Sequence, residues 1–346
     1  MPKIPFEVVF HPSWWNKNYG ITFNEDYFFD NETRLLVEQK HRRLLFERFG
    51  NIGLGEVHAE KRPVIGPVHL AAGFIVPALL GCELRFKDDN PPEVICRNMT
   101  EEEVSRLTVP DIENTYPMNR LLSMMDSFEK QYGYVEGDIN WSGLLNTALD
   151  LRGQNLLMDY YNNPELVHQL LKVIQETTIE TVQLIRKRSN TSSVSVNRIV
   201  SVTEPEVYLH SNCSVTMISS DIYREFHLSG ELALSEQLRP YGIHHCGNDM
   251  HRFAEVYGET GAVLYDVGWG SDIAFCREKL PDAILSLRVD PVQMGTWTSR
   301  EVDYEVRRLI DAAGSETKIA VCCINMDDQV PDENIIQLFE TVRSYG

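Results

Sequence analysis

A chain of 346 residues, 43% apolar and with a formal net charge of −19, can build a large core but lacks the basic face that a nucleic-acid binder needs. The same acidity argues against a polyanionic substrate unless arginines cluster locally. Seven irregularly spaced cysteines do not form a secreted disulfide framework, and no apolar run approaches the roughly 20 residues of a membrane helix, so a cytoplasmic globular protein is expected.

Residues 1–60 predict an ordered lead-in packed over a domain, rich in aromatics (Trp14, Trp15, Phe28, Phe29) and holding an amphipathic helix over 31–48 that Gly50 ends. A strand over 62–68, a small-residue helix over 70–80 and a helix over 116–131 follow. Residues 133–138 read as a strand that ends in the carboxylates Glu136 and Asp138. Asn163-Pro164-Glu165 opens the longest helix, striped with Leu166, Leu170, Ile174, Val182 and Ile185. Residues 193–202 are β-branched and predict a strand, which leads into an irregular polar segment over 204–213. A helix starts at Ser219 and runs to about Gln237. Strands over 241–246, 262–266, 284–289 and 318–323 then alternate with helices. One of these helices opens with the capping-box spacing Thr298-Ser-Arg-Glu301, and the last covers 331–345.

From residue 130 onward strand and helix alternate with short connections, which predicts parallel β/α architecture. One (β/α)8 TIM barrel over residues 61–346, with an N-terminal extension, is the economical arrangement; a doubly wound open sheet is the alternative.

The chemistry gathers at strand ends. In Tyr241-Gly-Ile-His-His-Cys-Gly-Asn-Asp249, His244 and Cys246 lie two apart and project from one face of an extended strand. An imidazole and a thiol at a strand's end suit zinc. In a barrel, all strand C-termini open on one face, so a thiolate from the last strand, Cys322 or Cys323, can join that pair. Adjacent strand residues face opposite ways, so only one of those two reaches a metal, and three N/S ligands leave a coordination position open. Cys213 and His210 are further candidates for a fourth ligand. Asp266, Asp290 and Glu136 end strands and are candidate catalytic acids, with helix capping the competing role for the two aspartates. Trp141, Trp269 and Asn248 are candidate substrate contacts, with core packing and turn formation as alternatives.

His244-His-Cys-Gly-Asn248, Val289-Asp-Pro-Val292 with Gly295-Thr296, and Val330-Pro-Asp-Glu-Asn-Ile335 with the terminal Tyr345-Gly346 resemble the uroporphyrinogen decarboxylase superfamily. The resemblance covers residues 130–346 well and implies a (β/α)8 barrel. One branch comprises metal-free decarboxylases that bind carboxylates through arginines near the N-terminus. The other comprises zinc methyltransferases that work with a corrinoid protein and are marked by His-x-Cys and a distant Cys. This sequence looks like the second branch, because His244 and Cys246 match the motif and no arginine-rich N-terminal signature is present. Counted back from Pro331, the family thiolate falls at Ile324, one residue after Cys323. The resemblance thus implies zinc, a methoxy, methylamine or thiol substrate, and cobalamin carried on a separate protein, since the chain has no Asp-x-His-x-x-Gly corrinoid signature. A metal-free decarboxylase and a non-catalytic barrel subunit are the rival expectations.

Overall fold

The computed structural model describes residues 4–66, 73–189, 198–204, 206–314 and 318–345. Its eleven strands are β1 (Phe6–Phe10), β2 (Val64–Ile65), β3 (Glu83–Lys87), β4 (Asn90–Ile95), β5 (Glu136–Gly137), β6 (Trp141–Ser142), β7 (Tyr208–Asn212), β8 (Tyr241–His245), β9 (Leu264–Val267), β10 (Ile284–Arg288) and β11 (Ile319–Met326). Seven of them form one sheet in the order β1-β11-β10-β9-β8-β7-β6, and every neighbouring pair is parallel. Parallel neighbours need a crossover, and helices such as Leu228–Gln237, Ile273–Lys279 and Ser299–Ala312 supply it. From β6 to β11 the strands stand in chain order. A doubly wound sheet would reverse that order at a switch point, so the alternative architecture is excluded.

The sheet curls. Ser142 of β6 and Ile324 of β11, five places apart in the strand order, line one cavity. The short pair β2–β5 forms a separate parallel sheet, and β3–β4 is an antiparallel hairpin outside the main layer.

Two expectations change. Residues 1–60 do not only lie over the domain, because β1 pairs with β11 from Phe6↔Val321 onward and completes the edge of the main sheet. This five-residue strand is hard to see between Pro5 and Pro12. In the remaining lead-in Trp14, Trp15, Phe23 and Tyr27 are fully buried. The expected strand over 193–202 lies outside the described residues up to 197, and Val200–Thr203 is a short helix. The expected strand over 62–68 and helix over 70–80 are described only as Val64–Ile65 and Ile75–Leu79, with 67–72 outside the described residues.

The Thr298 capping box is present in full, with Glu301 accepting from the Thr298 backbone N–H at 2.7 Å. The longest helix is Pro164–Arg186, as its proline and apolar stripe predict. No helix among the described residues is long and apolar enough to cross a membrane.

Candidate metal centre

Strand alternation decides which polar side chains share the concave face. In β8, Gly242 and His244 face inward and Cys246 follows just past the strand's end, while Ile243 and His245 face the surrounding helices. His245 accordingly meets Tyr257 (Nδ1···Oη, 3.0 Å) and Asp249 (Nε2···Oδ1, 3.1 Å) on the outer side. Parallel pairing carries the inner layer across the sheet: Ser142 lies opposite Ser211, Ser211 opposite His244, His244 opposite Asp266, and Asp266 opposite Ser286.

Two residues beyond Ser211, on the same side of the chain, comes Cys213. Its Sγ, the Cys246 Sγ and a ring nitrogen of His244 all lie within 4.8 Å of one another. His244 Nδ1 is 2.8 Å from Asp266 Oδ2, and both side chains are buried, at 1% and 0% exposure. An N–H donated to the carboxylate fixes the tautomer and leaves Nε2 as the ligand atom, which is how metal-bound histidines are commonly held. Cys213 sits at the exposed mouth and Cys246 is half-buried. Asn146 grips the chain on both sides of Cys213, donating through Nδ2 to Ser211 O (2.7 Å) and accepting at Oδ1 from Ser214 N (2.9 Å).

Electrostatics fit a thiolate centre. A hydrogen bond from Cys213, aided by His244 and Arg288, outweighs burial and holds the Cys246 thiol far below its usual range; the same bond holds Cys213 well above. Burial and Arg288 would lower His244, but its bonds to Asp266 and Cys246 prevail and raise it. Arg288 is the buried cation behind the site. Its Nη1 donates weakly to the carbonyls of His245 (3.4 Å) and Cys246 (3.5 Å), and its guanidinium lies 4.9 Å over the Trp269 ring. With a dication bound, two thiolates and a neutral imidazole would balance its charge, and Asp266 balances Arg288. The donor set therefore suits zinc in both softness and charge.

The last-strand thiolate requires correction. The pairing Arg288↔Cys322 puts Cys322 on the inner face, but its Sγ lies 3.2 Å from Ser286 Oγ and it is not among the residues lining the cavity, which Ile324 reaches two residues further on. Cys323, one residue on, points outward into the apolar core. Burial raises both thiols. Neither joins the cluster; Ile324 occupies the position beside the cavity, and Cys213 from β7 stands in for the missing sulfur. His210 is also away from the site, since it faces outward to Tyr241 Oη (2.7 Å) and Glu231 (3.0 Å).

The other candidates divide. Asp266 belongs to the centre as the partner of His244. Asp290 caps the helix Pro291–Met294, accepting from Val292 N at 2.9 Å and Gln293 N at 3.3 Å. Glu136 lies in β5, paired with Val64 and apart from the cluster. Trp141 is 1% exposed and packs against Tyr208, and it is not among the residues lining the cavity beside the donors. Trp269 covers Arg288. Asn248 is exposed on the turn after β8, against the Trp269 loop. These two loops touch backbone to backbone: a Cβ at Gly268 would lie 1.8 Å from Gly247 O, so only glycine fits there.

Sequence reasoning passed over Arg288, Asn146, Asn140 and Asn325. Only Arg288 carried a legible signal, a charge ending the largely apolar strand Ile284–Arg288.

The cavity beside the donors measures about 190 Å³, and Asn140, Ser142, Asn146, Ser211 and Asn325 are among the residues that line it. Residues 70–345 match the profile of the family described as Uroporphyrinogen decarboxylase (URO-D). A methyltransferase from Methanosarcina mazei overlays with a TM-score of 0.67 at 14% identity, over 100% of this chain and 95% of that one. A β-methylaspartase from Clostridium tetanomorphum overlays over 91% of this chain and 64% of that one at 9% identity, and its TM-score of 0.32 carries no argument. No curated protein matches the chain. With a family match over most of its length and a fold shared with that methyltransferase, the chain belongs to the uroporphyrinogen decarboxylase family.

Proposed function

We propose that the protein is a zinc-dependent methyltransferase that moves a methyl group between a small molecule, of methoxy, methylamine or thiol type, and a separate corrinoid protein. We also take the curled sheet together with the separate parallel pair β2–β5 as a (β/α)8 barrel. The observation that carries the function is the Cys213–His244–Cys246 cluster at the C-terminal ends of parallel strands, with Asp266 behind the imidazole. The fold of the Methanosarcina mazei methyltransferase supports it.

Zinc bound there would acidify a thiol or polarise a methyl-bearing heteroatom. The chain's own residues do the rest. Cys213 and Cys246 supply anionic sulfur, and Asp266 holds the His244 ring in one orientation. Arg288 stabilises negative charge at Cys246 from behind, and Trp269 shields that guanidinium from water. Asn146 holds the backbone around Cys213.

A porphyrinogen decarboxylase is disfavoured by the cavity itself. About 190 Å³ lies below the roughly 300 Å³ at which ordinary ligand sites begin, and among the described residues no Lys or Arg side chain lines it to meet substrate carboxylates. The test is metal content together with methylcobalamin demethylation by a small thiol, followed by absorbance. One zinc per chain and thiol-dependent demethylation are expected, and both are lost in Cys246→Ser. Metal-free protein that decarboxylates a porphyrinogen would refute the proposal.

A further inference from the structure

The cavity wall has an irregularity that alternation does not allow. Ile324 and Asn325 are consecutive in β11, yet both line the cavity. The pairing with β1 explains it: Val9 lies opposite Ile324 and Phe10 opposite Met326, so Asn325 is an extra, unpaired residue. Its φ is +61°, the left-handed conformation that asparagine tolerates better than most residues. A bulge of this kind re-aims a side chain, and here it brings the solvent-exposed Asn325 into the lining of the cavity that also holds the thiol–imidazole cluster.

Asn140 faces the cavity from the opposite wall. It is 5% exposed, and its Oδ1 accepts from Ser211 Oγ at 3.0 Å, which fixes the amide's orientation and leaves its NH2 as donor. Ser142 adds a hydroxyl. No Lys, Arg, Asp or Glu lines the cavity among the described residues. The nearest charges are committed, Asp266 to His244 and Arg288 to two backbone carbonyls and Trp269. Apart from the metal-ligating sulfurs and imidazole, whose charge a bound dication would take up, the lining offers an anionic or cationic substrate no counter-charge, and desolvating it would go unrepaid. At about 30 Å³ per water, the volume holds about six water-sized groups.

On the methyl-transfer reading above, we infer that the substrate is a small uncharged molecule with a hydroxyl or amide-like group, held by the carboxamides of Asn140 and the bulged Asn325. The bulge makes Asn325 a specificity-determining residue.

Three thiols of similar size test this with the zinc-loaded protein: neutral 2-mercaptoethanol, anionic 3-mercaptopropionate and cationic cysteamine. Binding is read by titration calorimetry, and methylcobalamin demethylation is measured beside it. 2-Mercaptoethanol should bind at least about tenfold more tightly than either charged thiol. Asn325→Gly, which keeps the positive φ, should cost it about tenfold, the loss of one good hydrogen bond. Asn325→Asp should shift preference toward cysteamine by a similar factor. Tighter binding of a charged thiol, or an unchanged order of affinities in Asn325→Gly, overturns the inference while zinc content and methyl transfer leave the function standing. Protein that holds no zinc and binds none of the three overturns both.

Discussion

Replacing Asp266 with Asn keeps the volume of the side chain and removes its charge. The carboxylate sits 2.8 Å from His244 Nδ1 in a site where both side chains are excluded from water. In that setting the ion–dipole contact does two things: it selects the tautomer with Nε2 free, and it makes the ring a stronger donor. An amide does the first only when its oxygen faces the ring, and it lacks the charge for the second. Partners of this kind are worth about 10–100-fold in metal affinity, or about 1.4–2.7 kcal/mol. Competition against a chromophoric zinc chelator at pH 7 should therefore show an apparent Kd raised by one to two orders of magnitude, with the stoichiometry still one zinc per chain. His244→Ala, which removes the ligand itself, should lose more. An Asp266→Asn affinity within threefold of wild type would refute the argument that Asp266 acts through His244.

Two further outcomes follow from the thiols and from a buried acid. In metal-free protein at pH 6, iodoacetamide should label Cys246 first, because Cys213, His244 and Arg288 hold it ionised where an ordinary thiol, with a pKa of about 8.5, is protonated; zinc should protect it, and mass spectrometry showing Cys322 or Cys323 labelled first would contradict the geometry. Burial pushes the Asp150 carboxyl up to about 7 from 3.8. A folded-state value above the unfolded one leaves stability intact below 3.8 and removes it as pH rises through 7. Asp150→Asn should thus raise the thermal midpoint at pH 8 and leave it unchanged at pH 4; equal midpoints of mutant and wild type at both values would refute the shift.

The sequence carried the parts of this protein that depend on local pattern. Alternation in Tyr241–Cys246 put His244 and Cys246 on one face; in the structure both line the cavity, while His245 meets Tyr257 and Asp249. The Thr298 capping box and the proline-led helix Pro164–Arg186 were legible for the same reason. The second sulfur was legible only as a candidate fourth ligand. Cys213 follows Tyr208–Asn212, whose Tyr-Leu-His-Ser-Asn run is polar on both faces, because one face meets the cavity and the other meets buried Glu231 and Tyr223. Such a strand lacks the apolar alternation by which strands are recognised. At the last strand, Cys322 and Cys323 were close to the right place in sequence, but a slip of one residue changes the face, and a slip of two changes the layer. The bulge at Asn325 lies beyond sequence reasoning, since its position is set by the pairing of two strands more than 300 residues apart.

X-ray absorption at the zinc edge of the loaded protein tests the ligand set most directly. Two sulfurs and one imidazole nitrogen are expected, with one sulfur lost in Cys213→Ser and none lost in Cys322→Ser or Cys323→Ser. A spectrum with three sulfurs, or one in which Cys213→Ser leaves the sulfur count intact, would contradict the centre described above.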